Sequence, residues 1–128
     1  AFSGDAFNEH LPKYHKENNV VYTGTHDNNT LLGWWARASH QEKHNTLLAL
    51  GIRHDEEFTH AFLRGTLNSR AMIAIIPMQD ILRLGESARM NLPGTVGGNW
   101  LWRMKPGAAT AKLARWLRDL NEETGRLG

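Results

Sequence analysis

Apolar positions change their period several times along the 128 residues, and each change marks an expected element. Residues 1–19 follow neither a helical nor a strand period and mix Gly4, Pro12, Asn8, Asn18 and Asn19 with scattered aromatics, so they read as a loop. Val20 to Thr25 is a β-branched and aromatic run, which predicts a strand ending abruptly in His26, Asp27, Asn28 and Asn29. Those polar side chains can cap a helix that starts near Thr30 and carries Leu31, Leu32, Trp34 and Trp35. Ser39 and Glu42 have the spacing of a capping box, and Gly51 stands where a left-handed residue would stop the chain, so a second helix is expected over 40–50. Asp55, Glu56 and Glu57 open a third, with Phe58, Ala61 and Phe62 as its apolar stripe, running to Leu67.

Ala71 to Ile76 is apolar at every position, the pattern of a strand buried on both faces, and Pro77 closes it. Gln79 to Leu84 suits a short helix ended by Gly85. Residues 88–107, rich in Gly, Pro and Asn and carrying Trp100 and Trp102, read as a long loop of the kind that is often functional. Leu113, Trp116, Leu117 and Leu120 then recur at helical spacing behind a Thr110 cap. Two strands separated by helices predict consecutive parallel strands of an α/β sheet. Two strands do not complete such a sheet, so its other strands are expected outside this sequence.

Composition narrows the function. Fifteen Lys and Arg against thirteen Asp and Glu leave a net charge of +2 with no basic stripe for a phosphate backbone, so nucleic acid is an unpromising partner. The longest apolar run, Ala71 to Pro77, is far short of the roughly 20 residues that span a bilayer, and no membrane association is expected. The absence of cysteine removes disulfides and thiolate chemistry while leaving the compartment open. Residue 1 is alanine, and no charged and apolar leader pattern follows it, which suits a processed chain or an internal piece.

The sharpest local signal is His26-Asp27 at a strand end, because α/β barrels place catalytic side chains at the C-terminal ends of parallel strands. The competing reading makes Asp27 the cap of the helix that follows. His40 and His44 share a helix face, but Glu42 between them is out of zincin order and already belongs to the capping box; no metal is expected. Trp34, Trp35, Trp100 and Trp102 could stack on sugar rings or fill a core. Gly94, Gly97 and Gly98 around Thr95 lack the Lys-Ser/Thr ending of a phosphate loop.

Taken together, Val20-Val21-Tyr22-Thr23-Gly24-Thr25-His26-Asp27-Asn28-Asn29-Thr30-Leu31-Leu32-Gly33-Trp34-Trp35, the segment Ala88-Arg89-Met90-Asn91-Leu92-Pro93-Gly94 and the later Gly98-Asn99-Trp100-Leu101-Trp102-Arg103 resemble the 4-α-glucanotransferases, also called amylomaltases or disproportionating enzymes. Pro77, Gln79, Asp80 and Leu84-Gly85 extend the resemblance in order along the whole chain. It implies the C-terminal part of a (β/α)8 TIM barrel of the α-amylase superfamily: the seventh and eighth strands with their helices, and no complete domain boundary within residues 1–128. It also implies a retaining transfer of 1,4-α-glucan segments between maltodextrins or starch-type glucans, without a cofactor, in the cytoplasm. Asp27 matches the family's third catalytic carboxylate, which stabilises the transition state, and His26 the neighbouring sugar-binding imidazole. Asn91 matches a donor-site residue that hydrogen-bonds sugar, with Arg89, Asn99 and Trp100 shaping the loop around it.

Two positions depart from the family pattern. Ser3, in Phe2-Ser3-Gly4, stands where many members carry a substrate-contacting Asp, and Asn29 replaces a common Asp. The nucleophilic Asp and the acid/base Glu have no counterpart in the sequence. The 128 residues by themselves are therefore expected to be inactive, and to self-associate through unpaired strand edges. A non-catalytic glucan-binding module and a purely structural or interaction domain are the alternatives.

Overall fold

The computed structural model describes residues 16–127. Strand β1 (Val20–Tyr22) leads into α1 (Leu31–Arg37) and α2 (His40–Leu50), and a 3-10 turn at Asp55–Glu57 precedes α3 (Phe58–Leu67). Strand β2 (Ile73–Ile75), the short α4 (Met78–Ile81), a 3-10 turn at Glu86–Ala88 and α5 (Ala111–Glu123) follow. The two strands pair in parallel with Val20 opposite Ile73 and Tyr22 opposite Ile75, so the expected crossover forms. The described residues are accordingly helix-rich, with a two-stranded sheet.

Both strands are shorter than the apolar runs that announce them. Beyond Tyr22 the Thr23 hydroxyl donates to Asp80 at 2.6 Å. Burial on both faces of β2 is also not found: Val21 and Ala74 turn inward, whereas Val20, Tyr22, Ile73 and Ile75 are 43% to 48% exposed. A run apolar at every position states only that both faces are apolar, and here helices cover one of them.

The core has two centres joined through α3. Leu31, Trp35 and Phe58 form one, with Trp34, Leu47, Leu50 and Phe62 packed around it. Trp35 stacks on Phe58 with ring centroids 3.9 Å apart and planes 14° from parallel, which settles Trp34 and Trp35 as core residues. Leu63, Leu67 and Leu120 form the other, against Ala74, Ile76 and Trp116. Spacing explains the division: Phe58 and Phe62 lie on one face of α3 and Leu63 and Leu67 on the next, so the helix is gripped by α1 and α2 on one side and by β2 and α5 on the other.

The starts of α1, α2 and α5 are closed by side chains. Thr30 caps α1 by accepting from the Gly33 N–H at 3.1 Å. Thr110 caps α5 the same way from Leu113 at 3.1 Å. At α2 both halves of the capping box form, with Ser39 Oγ accepting from the Glu42 N–H and the Glu42 carboxylate accepting from the Ser39 N–H at 2.8 Å. Those bonds, the backbone one first and the Ser39 hydroxyl second, hold the Glu42 carboxyl below its ordinary value. Helix α4 stops at Leu82 rather than at Gly85, because Arg83 takes the left-handed conformation (φ 56°) with its guanidinium over the Trp116 ring at 5.6 Å. Arg126, beyond α5, donates to the carbonyls of Leu67, Ser69, Ala71 and Met72 and so ties the chain end to the turn between α3 and β2.

Candidate functional site

The C-terminal ends of the two parallel strands are held together by a single buried carboxylate. Asp80, 3% exposed on α4, accepts from the Thr23 hydroxyl through one oxygen and from the Leu31 N–H at 2.8 Å through the other. It therefore fixes the end of β1, the start of α1 and the exit from β2 as one unit. Just before α1, Asn29 accepts from the Thr30 N–H at 2.8 Å and donates to Glu86 at 3.3 Å, while Arg37 grips the other Glu86 oxygen at 2.7 Å. An Asp at position 29 would set two carboxylates against each other there, whereas the amide supplies a donor. The Asn29 side chain lies over Gly33, where a Cβ would come within 2.2 Å of its oxygen, so a larger residue here would have to push Asn29 away from Thr30 and Glu86.

On this base sits an open cavity of about 710 Å³, lined among others by Tyr22, Thr25, His26, Asp27, Arg89 and Trp100. Asp27 is not the cap of α1, since Thr30 fills that place. Its carboxylate instead accepts from Asn91 Nδ2 at 2.7 Å and lies 3.3 Å from His26 Nε2. Both His26 and Asp27 side chains are about half exposed, at 56% and 52%. The His26 ring lies 5.1 Å from that of Trp100, inclined by 38°. Trp100 adopts a left-handed backbone (φ 64°), a conformation costing a bulky residue about 1–3 kcal/mol. Two hydrogen bonds hold it there: its N–H donates to the Met90 carbonyl at 2.7 Å and its carbonyl accepts from Arg103 at 3.1 Å.

The long loop is thus ordered around the site. Asn99 accepts from the Leu92 N–H at 2.9 Å and donates to the Thr95 hydroxyl at 3.0 Å, closing the glycine-rich turn upon itself. Arg89 donates to the Asp27 carbonyl at 2.7 Å and to the Asn91 carbonyl at 2.8 Å. Of the residues singled out from the sequence, His26, Asp27 and Asn91 meet here with Arg89 and Trp100, while Ser3 lies outside the described residues. His40 and His44 lie exposed on α2, and no group of three or more His, Cys, Asp or Glu among the described residues is arranged to hold a metal ion. Asp80 entered the sequence reading only through the resemblance; an acid so soon after a wholly apolar strand is the signal that marks it as a buried anchor.

The sequence profile of the 4-alpha-glucanotransferases matches residues 1–110. The chain belongs to this family. It is 48% identical over 130 residues to the chloroplastic/amyloplastic 4-alpha-glucanotransferase of Solanum tuberosum, covering 99% of this chain and 23% of that protein. The Thermus thermophilus 4-alpha-glucanotransferase is 45% identical over 113 residues, covering 84% of this chain and 23% of its own length. In three dimensions the chain is similar to an amylomaltase from Streptococcus agalactiae solved in complex with acarbose, with a TM-score of 0.91, 30% identity, and coverage of 98% of this chain and 25% of that one. This member of the glucanotransferase family therefore spans about a quarter of the length of the relatives it matches. Among its described residues no helix is long and apolar enough to cross a membrane.

Proposed function

We propose that the chain is the C-terminal part of the catalytic TIM barrel of a retaining 4-α-glucanotransferase, with β1 and β2 as the seventh and eighth barrel strands and no domain boundary inside it. The observation that carries this reading is the release of the Asp27 carboxylate from helix capping and its orientation by Asn91 at the rim of an open cavity. Retention at an anomeric carbon requires a nucleophilic carboxylate and an acid/base carboxyl about 5 Å apart. Both come from elsewhere in the whole protein. Asp27 supplies a third, fixed negative charge that stabilises the oxocarbenium-like transition state. His26 and Asn91 hydrogen-bond the donor sugar, and Ser3 stands at the donor side, where it offers a hydroxyl in place of the common carboxylate.

The substrates in this reading are maltodextrins or starch-type glucans, the reaction needs no cofactor, and neither nucleic acid nor a membrane takes part. A cytoplasmic setting belongs to the same reading, although the potato relative is named for plastids. The open apolar sheet face of Val20, Tyr22, Ile73 and Ile75 supports self-association of the 128-residue chain on its own. Light scattering of the purified chain should find dimers or larger species; a monodisperse monomer would remove that part of the reading.

The catalytic assignment is tested by Asp27→Asn in the full-length enzyme. Charge is lost while size is kept, so the Michaelis constant for maltotriose should move only modestly and turnover should fall by about 10² to 10³. Unchanged turnover would reduce Asp27 to a structural residue.

A further inference from the structure

We propose that Arg89 is a positioning residue that acts through Asp27, an inference that rests on Asp27 being the carboxylate that stabilises the transition state. Asp27 lies in a tight polar turn whose shape is set locally: the Asn28 N–H donates to the Thr25 carbonyl at 3.1 Å, and the Asn28 side chain accepts from the Thr25 N–H at 2.8 Å. Those bonds span three residues and do not say where the turn stands relative to the loop that carries Asn91. Arg89 does. Its Nη2 donates to the carbonyl of Asp27 and its Nε to the carbonyl of Asn91, at 2.7 and 2.8 Å. Nε and Nη2 belong to one rigid planar guanidinium, so it fixes the spacing of two peptide units 64 positions apart in sequence. The side chains of those same two residues meet across the clamp, Asn91 Nδ2 donating to Asp27 Oδ1 at 2.7 Å. The result is a closed ring of contacts in which the carboxylate direction is set from both ends.

The charge of Arg89 argues for the same role. A group whose task is to stabilise a developing cation gains nothing from a guanidinium bonded to its own backbone, since that positive charge opposes the field the carboxylate provides. What the arginine adds is geometry, and its half-buried place in the cavity wall suits a strut. A lysine would keep the charge and lose the fork, because an ammonium on a flexible stem cannot hold two carbonyls at fixed spacing.

The test is a double-mutant cycle in the full-length enzyme with maltotriose as substrate. Arg89→Lys should lower kcat by about tenfold or more while leaving KM within about twofold, as expected when a reacting group is displaced by a fraction of an ångström. In an Asp27→Asn background the same substitution should cost almost nothing further, because the group through which Arg89 acts is already disabled. Parent-like kcat in Arg89→Lys, or an equal loss in both backgrounds, overturns the proposal. Arg89→Met is run beside it, and the cycle is read on whichever variant keeps the parent's circular dichroism spectrum. Loss of the folded state in both makes Arg89 a residue of the fold and also overturns the proposal. Failure of the underlying reading looks different: Asp27→Asn would then turn over like the parent, whatever Arg89 does.

Discussion

Asp27 and His26 present two neighbouring side chains to one cavity, and the proposed function gives them different work. The imidazole stands against Trp100 and 3.3 Å from the carboxylate, a place suited to hydrogen-bonding a sugar hydroxyl rather than to delivering a proton to the leaving oxygen. His26→Asn in the full-length enzyme should therefore raise KM for the donor without moving the acid limb of the pH–rate profile; a displaced acid limb would point to general-acid catalysis instead. His26 and Asp27 were legible in the sequence because a β-branched run ending in polar residues marks a strand terminus, and strand termini carry chemistry in α/β folds. The bond from Asn91 to Asp27 was not, since no periodicity encodes a contact between residues 64 apart. The resemblance placed Arg89 in the loop around Asn91, but its two bonds were equally opaque: its partners are carbonyl oxygens, which every residue has.

Among the elements, α2 shows how far local chemistry carries. The Ser39–Glu42 box and Gly51, left-handed at φ 67°, define both ends as the spacing predicted. Ser39→Ala should cost about 0.5–2 kcal/mol, measured by urea denaturation. Because the folded state holds the Glu42 carboxyl below its ordinary value of 4.5, the part of the box that rests on the Glu42 carboxylate is present above that value and lost as pH falls through the folded one. Acidification should thus narrow the gap between the parent and Ser39→Ala, which lacks the Ser39 hydroxyl that donates to the Glu42 carboxylate at 2.7 Å, and a gap that stays constant into acid would contradict the assignment of Glu42 as acceptor from that hydroxyl. Ends set by tertiary contacts were harder to read. Gly85 has the composition of a helix stop, yet the chain turns at Arg83, whose stacking over Trp116 offsets the cost of its left-handed backbone. Strand β2 was recognised as a strand, but its burial depends on what packs over it, and its own sequence does not contain that information.

At the scale of the whole molecule, the described part of α3 and α5 packs on one face of a two-stranded parallel sheet, and among the described residues the other face and the cavity are left exposed. Membership of the glucanotransferase family and a span of about a quarter of its relatives' length give that openness a meaning. In the proposed function the chain contributes the third carboxylate and the sugar-binding rim, and the groups that make and break the glycosidic bond come from the rest of the barrel. Binding and proximity at such a half-site cannot replace the covalent step that retention requires. The most direct measurement is glucose release from maltotriose by the purified 128-residue chain. The account predicts none above background, even at high protein concentration; release that rises with the amount of chain added would show that the upstream carboxylates are not needed, and would contradict it.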